Sequence, residues 1–123
     1  MENLLPDNPN FILGQNDLIA SLLPDAIQLL ENDFNTSGID AEFAGKIFGD
    51  VFDLREVIAQ LLTKTGGPGS EKFYRLLYRV DIPETKIKTL LNSSSDLPFE
   101  SNVAEVMIIR ALQKAYFRRK YKD

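Results

Sequence analysis

Glu100-Ser101-Asn102-Val103-Ala104-Glu105-Val106-Met107-Ile108-Ile109-Arg110-Ala111-Leu112-Gln113-Lys114-Ala115-Tyr116-Phe117-Arg118-Arg119-Lys120-Tyr121-Lys122 is the stretch on which the fold turns. No Pro or Gly follows Pro98, so nothing interrupts a helix starting near Pro98 or Ser101. Its first half (Val103, Val106, Met107, Ile108, Ile109, Ala111, Leu112) is apolar nearly all round. A surface helix shows a polar stripe instead, so this pattern predicts a long helix at the centre of a bundle. Its second half is amphipathic and basic, and reads as fraying over residues 118–123.

A central helix needs others around it, and the upstream spacing supplies them. Asn16 or Asp17 can cap a helix carrying Leu18, Ile19, Leu22 and Leu23. Pro24 then kinks that helix or opens a second one with Ile27, Leu29, Leu30 and Phe34, stopped at Thr36-Ser37-Gly38. Asp40 predicts a short helix with Phe43, Ile47 and Phe48. Asp53 predicts another with Leu54, Val57, Ile58, Leu61 and Leu62 on one face. Gly66-Gly67-Pro68-Gly69 is the clearest break. Ser70 restarts the chain as a helix whose Phe73, Leu76, Leu77 and Val80 follow the i, i+3, i+4, i+7 rule. Asp81-Ile82-Pro83 stops it and places Pro83 at the first position of a short helix with Ile87, Leu90 and Leu91. Asn92-Ser93-Ser94-Ser95-Asp96 reads as a loop, and residues 1–10, with Pro6 and Pro9, as an extended lead-in. The expectation is all-α: one compact single-domain bundle, residues 1–123, of about five to six short helices around a longer, central C-terminal helix. Leu4-Leu5-Pro6-Asp7 recurs as Leu22-Leu23-Pro24-Asp25, a single echo that does not make a repeat protein.

Composition agrees with a self-sufficient core. Of 123 residues, 44% are hydrophobic and 26% charged, ordinary values for a folded domain. There is no Cys, His or Trp. The first two absences exclude disulfides and thiolate metal sites, and weigh against zinc hydrolases, Ser-His and Cys-His nucleophilic enzymes and haem proteins. No cofactor motif, metal set or catalytic residue stands out, and the carboxylates show no spacing that selects a pair. The start of the sequence has no basic leader and no run of spanning length, so the expected location is cytoplasmic. The Asn35-Thr36-Ser37 and Asn92-Ser93-Ser94 sequons carry no weight there. The net charge of −4 hides an asymmetry. Residues 1–60 hold eleven Asp/Glu and two Lys/Arg, a balance of −9, whereas residues 61–123 hold seven and twelve, a balance of +5.

Two loops imitate known chemistry and fail at the residues it needs most. Asp33-Phe34-Asn35-Thr36-Ser37-Gly38 begins like an EF-hand loop, but positions 8 and 12 would be Asp40 and Ala44 instead of an apolar residue and a bidentate Glu. The same letters terminate one helix and cap the next. Thr65 to Lys72 suggests a phosphate loop, yet Glu71 precedes Lys72, Phe73 follows it, and no strand leads in. A flexible connection between helices explains it better.

Two surfaces remain as candidates for partner binding. On the last helix, Arg110, Lys114, Phe117 and Tyr121 share one face, with Arg118 and Arg119 adding charge around it. Cations interleaved with aromatics suit phosphate contacts and base stacking, but also an anionic membrane surface. They equally suit a helix end neutralised by cations, or pairing with the acidic first half. In Phe73–Asp81, Tyr74 and Tyr78 lie at i, i+4 beside Arg75 and Arg79 at i, i+4. Tyrosine and arginine dominate binding hot spots, while tyrosines also sit at bundle rims with their hydroxyls in water. These residues imply a non-enzymatic helical protein-interaction module, an adaptor or regulator, whose partner is another protein or a second copy. A nucleic-acid-associated protein using the basic C-terminal helix is the alternative, and an enzyme comes third. If the oppositely charged halves present separate faces, copies should associate head-to-tail at low salt.

Overall fold

The structure, a computed structural model, describes residues 16–40, 51–92 and 96–121. Among these, five helices occur: α1 (Asn16–Thr36), α2 (Val51–Lys64), α3 (Glu71–Val80), α4 (Glu84–Leu91) and α5 (Phe99–Lys120). The fold is all-α, with the long C-terminal helix at its centre. The expected lead-in 1–10, the short helix expected to carry Phe43, Ile47 and Phe48, and residues 93–95 lie outside the described residues.

Helix α5 packs against the other four. Val103, Ala104, Met107, Ile108, Ala111, Leu112 and Ala115 are buried along it, so the apolar first half does occupy the centre. Directions follow from who meets whom. Arg119 reaches Ser21 and Asp25, whereas Lys114 acts on Asp33, so α1 runs antiparallel to α5. Arg55 pairs with Glu105 and Gly67 lies beside Glu100, so α2 is antiparallel too. Phe73 packs 6.3 Å from Phe99 and Asp81 meets Lys114, so α3 runs in the same sense as α5.

Three boundaries differ from expectation and one open alternative, at Pro24, is decided, each for a local reason. Pro24 does not divide two helices: α1 is continuous through it. Leu22, Ala26, Ile27, Leu30 and Phe34 form one buried stripe across the position, and Pro24 is on the exposed side, where the missing donor faces water. Asp53 lies in the first turn of α2, which starts at Val51, and its carboxylate there favours the helix N-terminus. Pro83 is the cap of α4, with φ −71° and ψ 150°, and Glu84 is the first helical residue. Finally, α5 stays helical through Arg118, Arg119 and Lys120, where the sequence reads as fraying, because Arg119 is anchored on α1.

Both α1 and α3 end in the same closing motif. Gly38 (φ 87°) and Asp81 (φ 67°) adopt the left-handed conformation. Beyond them, Ile39 N–H donates to the Phe34 carbonyl and Ile82 N–H to the Leu77 carbonyl, each at 2.9 Å. Ile39 and Ile82 are buried, so each motif turns the chain and returns an apolar side chain to the core. Gly38 thus serves as the terminator of α1. The break after α2 is a single 3-10 turn, Gly67–Gly69, entered through left-handed Gly66 and closed by Ser70. The Ser70 hydroxyl accepts a hydrogen bond from Lys72 N–H at 3.1 Å and caps α3.

Candidate functional site

Helix α3 separates its residues into two faces with nothing in between. Phe73, Leu76, Leu77 and Val80 are buried. Glu71, Lys72, Tyr74, Arg75, Tyr78 and Arg79 face outward. Tyr78 is 83% exposed and Tyr74 38%. The Tyr74 ring rests edge-on against buried Phe73, centroids 5.4 Å apart, while Tyr78 projects beyond it. Arg75 donates to Glu71 at 3.1 Å, an i, i+4 pair that leaves the arginine side chain 49% exposed. The two rows expected from the sequence are therefore both present on the outer face. Lys72, not singled out in the sequence, extends the arginine row one turn toward the helix start. Its spacing to Arg75 and Arg79, i+3 and i+7, was the available signal. Lys72 and Arg75 also lie beside Gly38, so they neutralise the carbonyl end of α1.

The basic residues of α5 are brought together with other elements instead of with each other. Lys114 Nζ lies 3.0 Å from the Asp81 carboxylate and donates to the Arg79 carbonyl at 3.1 Å, closing the C-terminus of α3. Arg110 approaches the same carboxylate at 3.8 Å and donates to Gln113 at 3.3 Å. Arg119 donates to the Ser21 hydroxyl, to the Ser21 carbonyl at 2.9 Å and to Asp25 at 3.5 Å. Three of the expected binding cations thus act as internal ties, and Asp81 and Ser21 are partners the sequence did not suggest. Phe117 is half-buried and stacks on Tyr121, centroids 5.8 Å apart at 20°; Tyr121 is 71% exposed. Lys120 lies 5.9 Å and 6.0 Å from the Tyr116 and Tyr121 ring centroids, and Arg118 is exposed.

These ties bring part of the acidic half against part of the basic half. Residues 1–45 contain no Lys or Arg at all, so α1 brings only carboxylates to the bundle. Packed antiparallel on α5, it meets Arg119 at Asp25, and Lys114 with Arg79 at Asp33. Burial pushes the Asp33 carboxyl above its ordinary value; Lys114 and Arg79 pull it down, and Asp81 adds to the rise. On the other side Arg55 bridges Glu105 at 2.7 Å and Glu56 at 3.2 Å. The Glu105 hydrogen bond raises the Arg55 pKa, burial opposes it, and Glu56 adds to the rise.

Among the described residues no group of three acidic side chains is placed to hold a metal ion, and no helix is long and apolar enough to cross a membrane. Comparison of the chain with protein-family models, curated proteins and solved structures returned no match.

Proposed function

We propose that the chain is a non-enzymatic helical interaction module that recognises another protein through the outer face of α3. The observation that carries this reading is Tyr78, 83% exposed on a ten-residue helix whose opposite face is buried. A ring in that position adds little to folding, yet tyrosine beside arginine is the composition of interface hot spots. Capping by Ser70 and the closing motif at Asp81 hold the helix in shape, so little conformational freedom is lost on binding. The lack of His and Cys favours recognition over catalysis.

The alternative, nucleic-acid binding at the end of α5, draws support from Arg118, Lys120 and the 71% exposed Tyr121. It is weakened because Arg110, Lys114 and Arg119 already have partners inside the chain. Phosphate affinity scales with the cations that can be brought to the backbone. The test is affinity capture from nuclease-treated native lysate with the wild type and the Tyr78→Ala/Arg79→Ala variant, both checked for helicity by circular dichroism. The expected result is one or a few proteins held by the wild type and lost by the variant. Identical proteins on both columns, or loss of all binding on nuclease treatment, would overturn the reading.

A further inference from the structure

We infer that the partner of α3 presents an acidic helix whose carboxylates, four residues apart, meet Arg75 and Arg79. The inference rests on α3 being the recognition face and names the chemistry that face selects. Its hydrogen-bonding inventory is lopsided. Arg75, Arg79 and Lys72 can only donate, and the phenols of Tyr74 and Tyr78 donate readily; the one carboxylate of the helix face is Glu71, paired with Arg75, while Asp33 of α1 acts on Arg79 from beside it. The carboxylate at its end, Asp81, is engaged by Lys114 and Arg110. Three cations against Glu71 and the neighbouring Asp33 still give the outer face a positive balance on a chain of net charge −4. Charge complementarity therefore calls for an acceptor-rich, anionic partner.

Spacing narrows the choice. Arg75 and Arg79 are one turn apart, about 6 Å along the helix axis. A second helix with Asp or Glu at i and i+4 repeats that interval, and each guanidinium matches a carboxylate in bidentate fashion. Apolar residues between the carboxylates would cover the Tyr74 and Tyr78 rings, whose hydroxyls reach the rim. A nucleic-acid duplex fits less well. Its charges recur every ~1.7 Å along the axis and would bring phosphates against Glu71.

The experiment is fluorescence anisotropy with a fluorescein-labelled Ala-based helical peptide of about 20 residues, long enough to hold a helix. It carries Glu pairs at i, i+4 flanking leucines; companion peptides carry Gln or Lys in their place. The expected result is binding of the Glu peptide to the wild type at micromolar concentration, and at least ~10-fold weaker binding of the Gln peptide. Arg75→Gln/Arg79→Gln should erase that preference, and Arg75→Glu/Arg79→Glu should favour the Lys peptide, with helicity of both variants confirmed. Equal binding of Glu and Gln peptides, no binding at roughly 100 μM, or displacement of the Glu peptide by oligo(dT) overturns the inference. If lysate capture still depends on Tyr78 while Glu and Gln peptides bind alike, the interaction reading stands and the acidic partner falls.

Discussion

Asp33 and Asp81 show how single carboxylates acquire opposite roles within one cluster. Asp33 is half-buried, and its carboxyl is raised chiefly by burial despite Lys114 and Arg79 nearby. The folded chain then holds that proton more tightly than the unfolded chain. The stability this residue contributes is complete below the ordinary aspartate value and is lost as pH climbs through the raised, folded-state value. Asp33→Asn should therefore melt higher than the wild type near pH ~7, with the gap closing as pH falls toward ~4. A thermal-shift series across pH reads this directly, and a lower melting temperature at neutral pH contradicts it. Asp81 instead occupies a left-handed position, φ 67°, and offers its carboxylate to Lys114 at 3.0 Å. Alanine loses the ion pair and keeps the backbone cost, whereas glycine loses the pair and removes the cost. In urea unfolding, Asp81→Gly should exceed Asp81→Ala in stability by about 1 kcal/mol. The exposed ion pair itself contributes roughly 0–1 kcal/mol.

At the scale of the element, α1 and α3 mark where local rules decide and where packing overrules them. In α3 everything local agrees: the serine cap, the four-residue apolar stripe and the turn after Val80 all specify the helix observed. Reading its boundaries and core from sequence succeeded for that reason. In α1 the proline left one helix or two both open, and burial of Leu22, Ala26, Ile27 and Leu30 on one continuous face accompanies the single helix. An interior proline disfavours a helix by ~3 kcal/mol, while its stiffness in the unfolded chain returns roughly 0.4–1 kcal/mol. Pro24→Ala should accordingly stabilise the chain by about 2–3 kcal/mol in chemical denaturation. No gain would mean that α1 has already relaxed around the ring.

For the whole molecule, the acidic helix α1 lies antiparallel along α5, with Asp25 and Asp33 facing cations of the basic half. Arg119 joins Ser21 and Asp25 across it. The condition for head-to-tail association, separate charged faces, is not met by these groups. The expected outcome is a molar mass by light scattering that is the same at low and high salt. Melting temperature should instead fall as salt shortens the Debye length from roughly 30 Å at 0.01 M toward 3 Å at 1 M. Arg119→Gln should flatten that dependence and cost about 1 kcal/mol. A mass that grows at low salt would point to association after all.

The sequence by itself determined helices α2 to α5, the breaks at Gly38 and Gly66, the central role of the segment from Val103 to Leu112, and the two tyrosine–arginine rows of α3. Each is set by spacing along the chain or by a residue's own backbone preference, information that never leaves its neighbourhood. Only the tertiary structure decided what the charges do. Lys114 meeting Arg79, and Arg119 meeting Ser21, join positions 35 and 98 residues apart. No periodicity within a segment encodes which helix lies against which, because burial sets that arrangement and the charges then pair with whatever it brings near. The same packing that gave Arg110, Lys114 and Arg119 partners inside the chain left Tyr78 and its arginine neighbours facing outward.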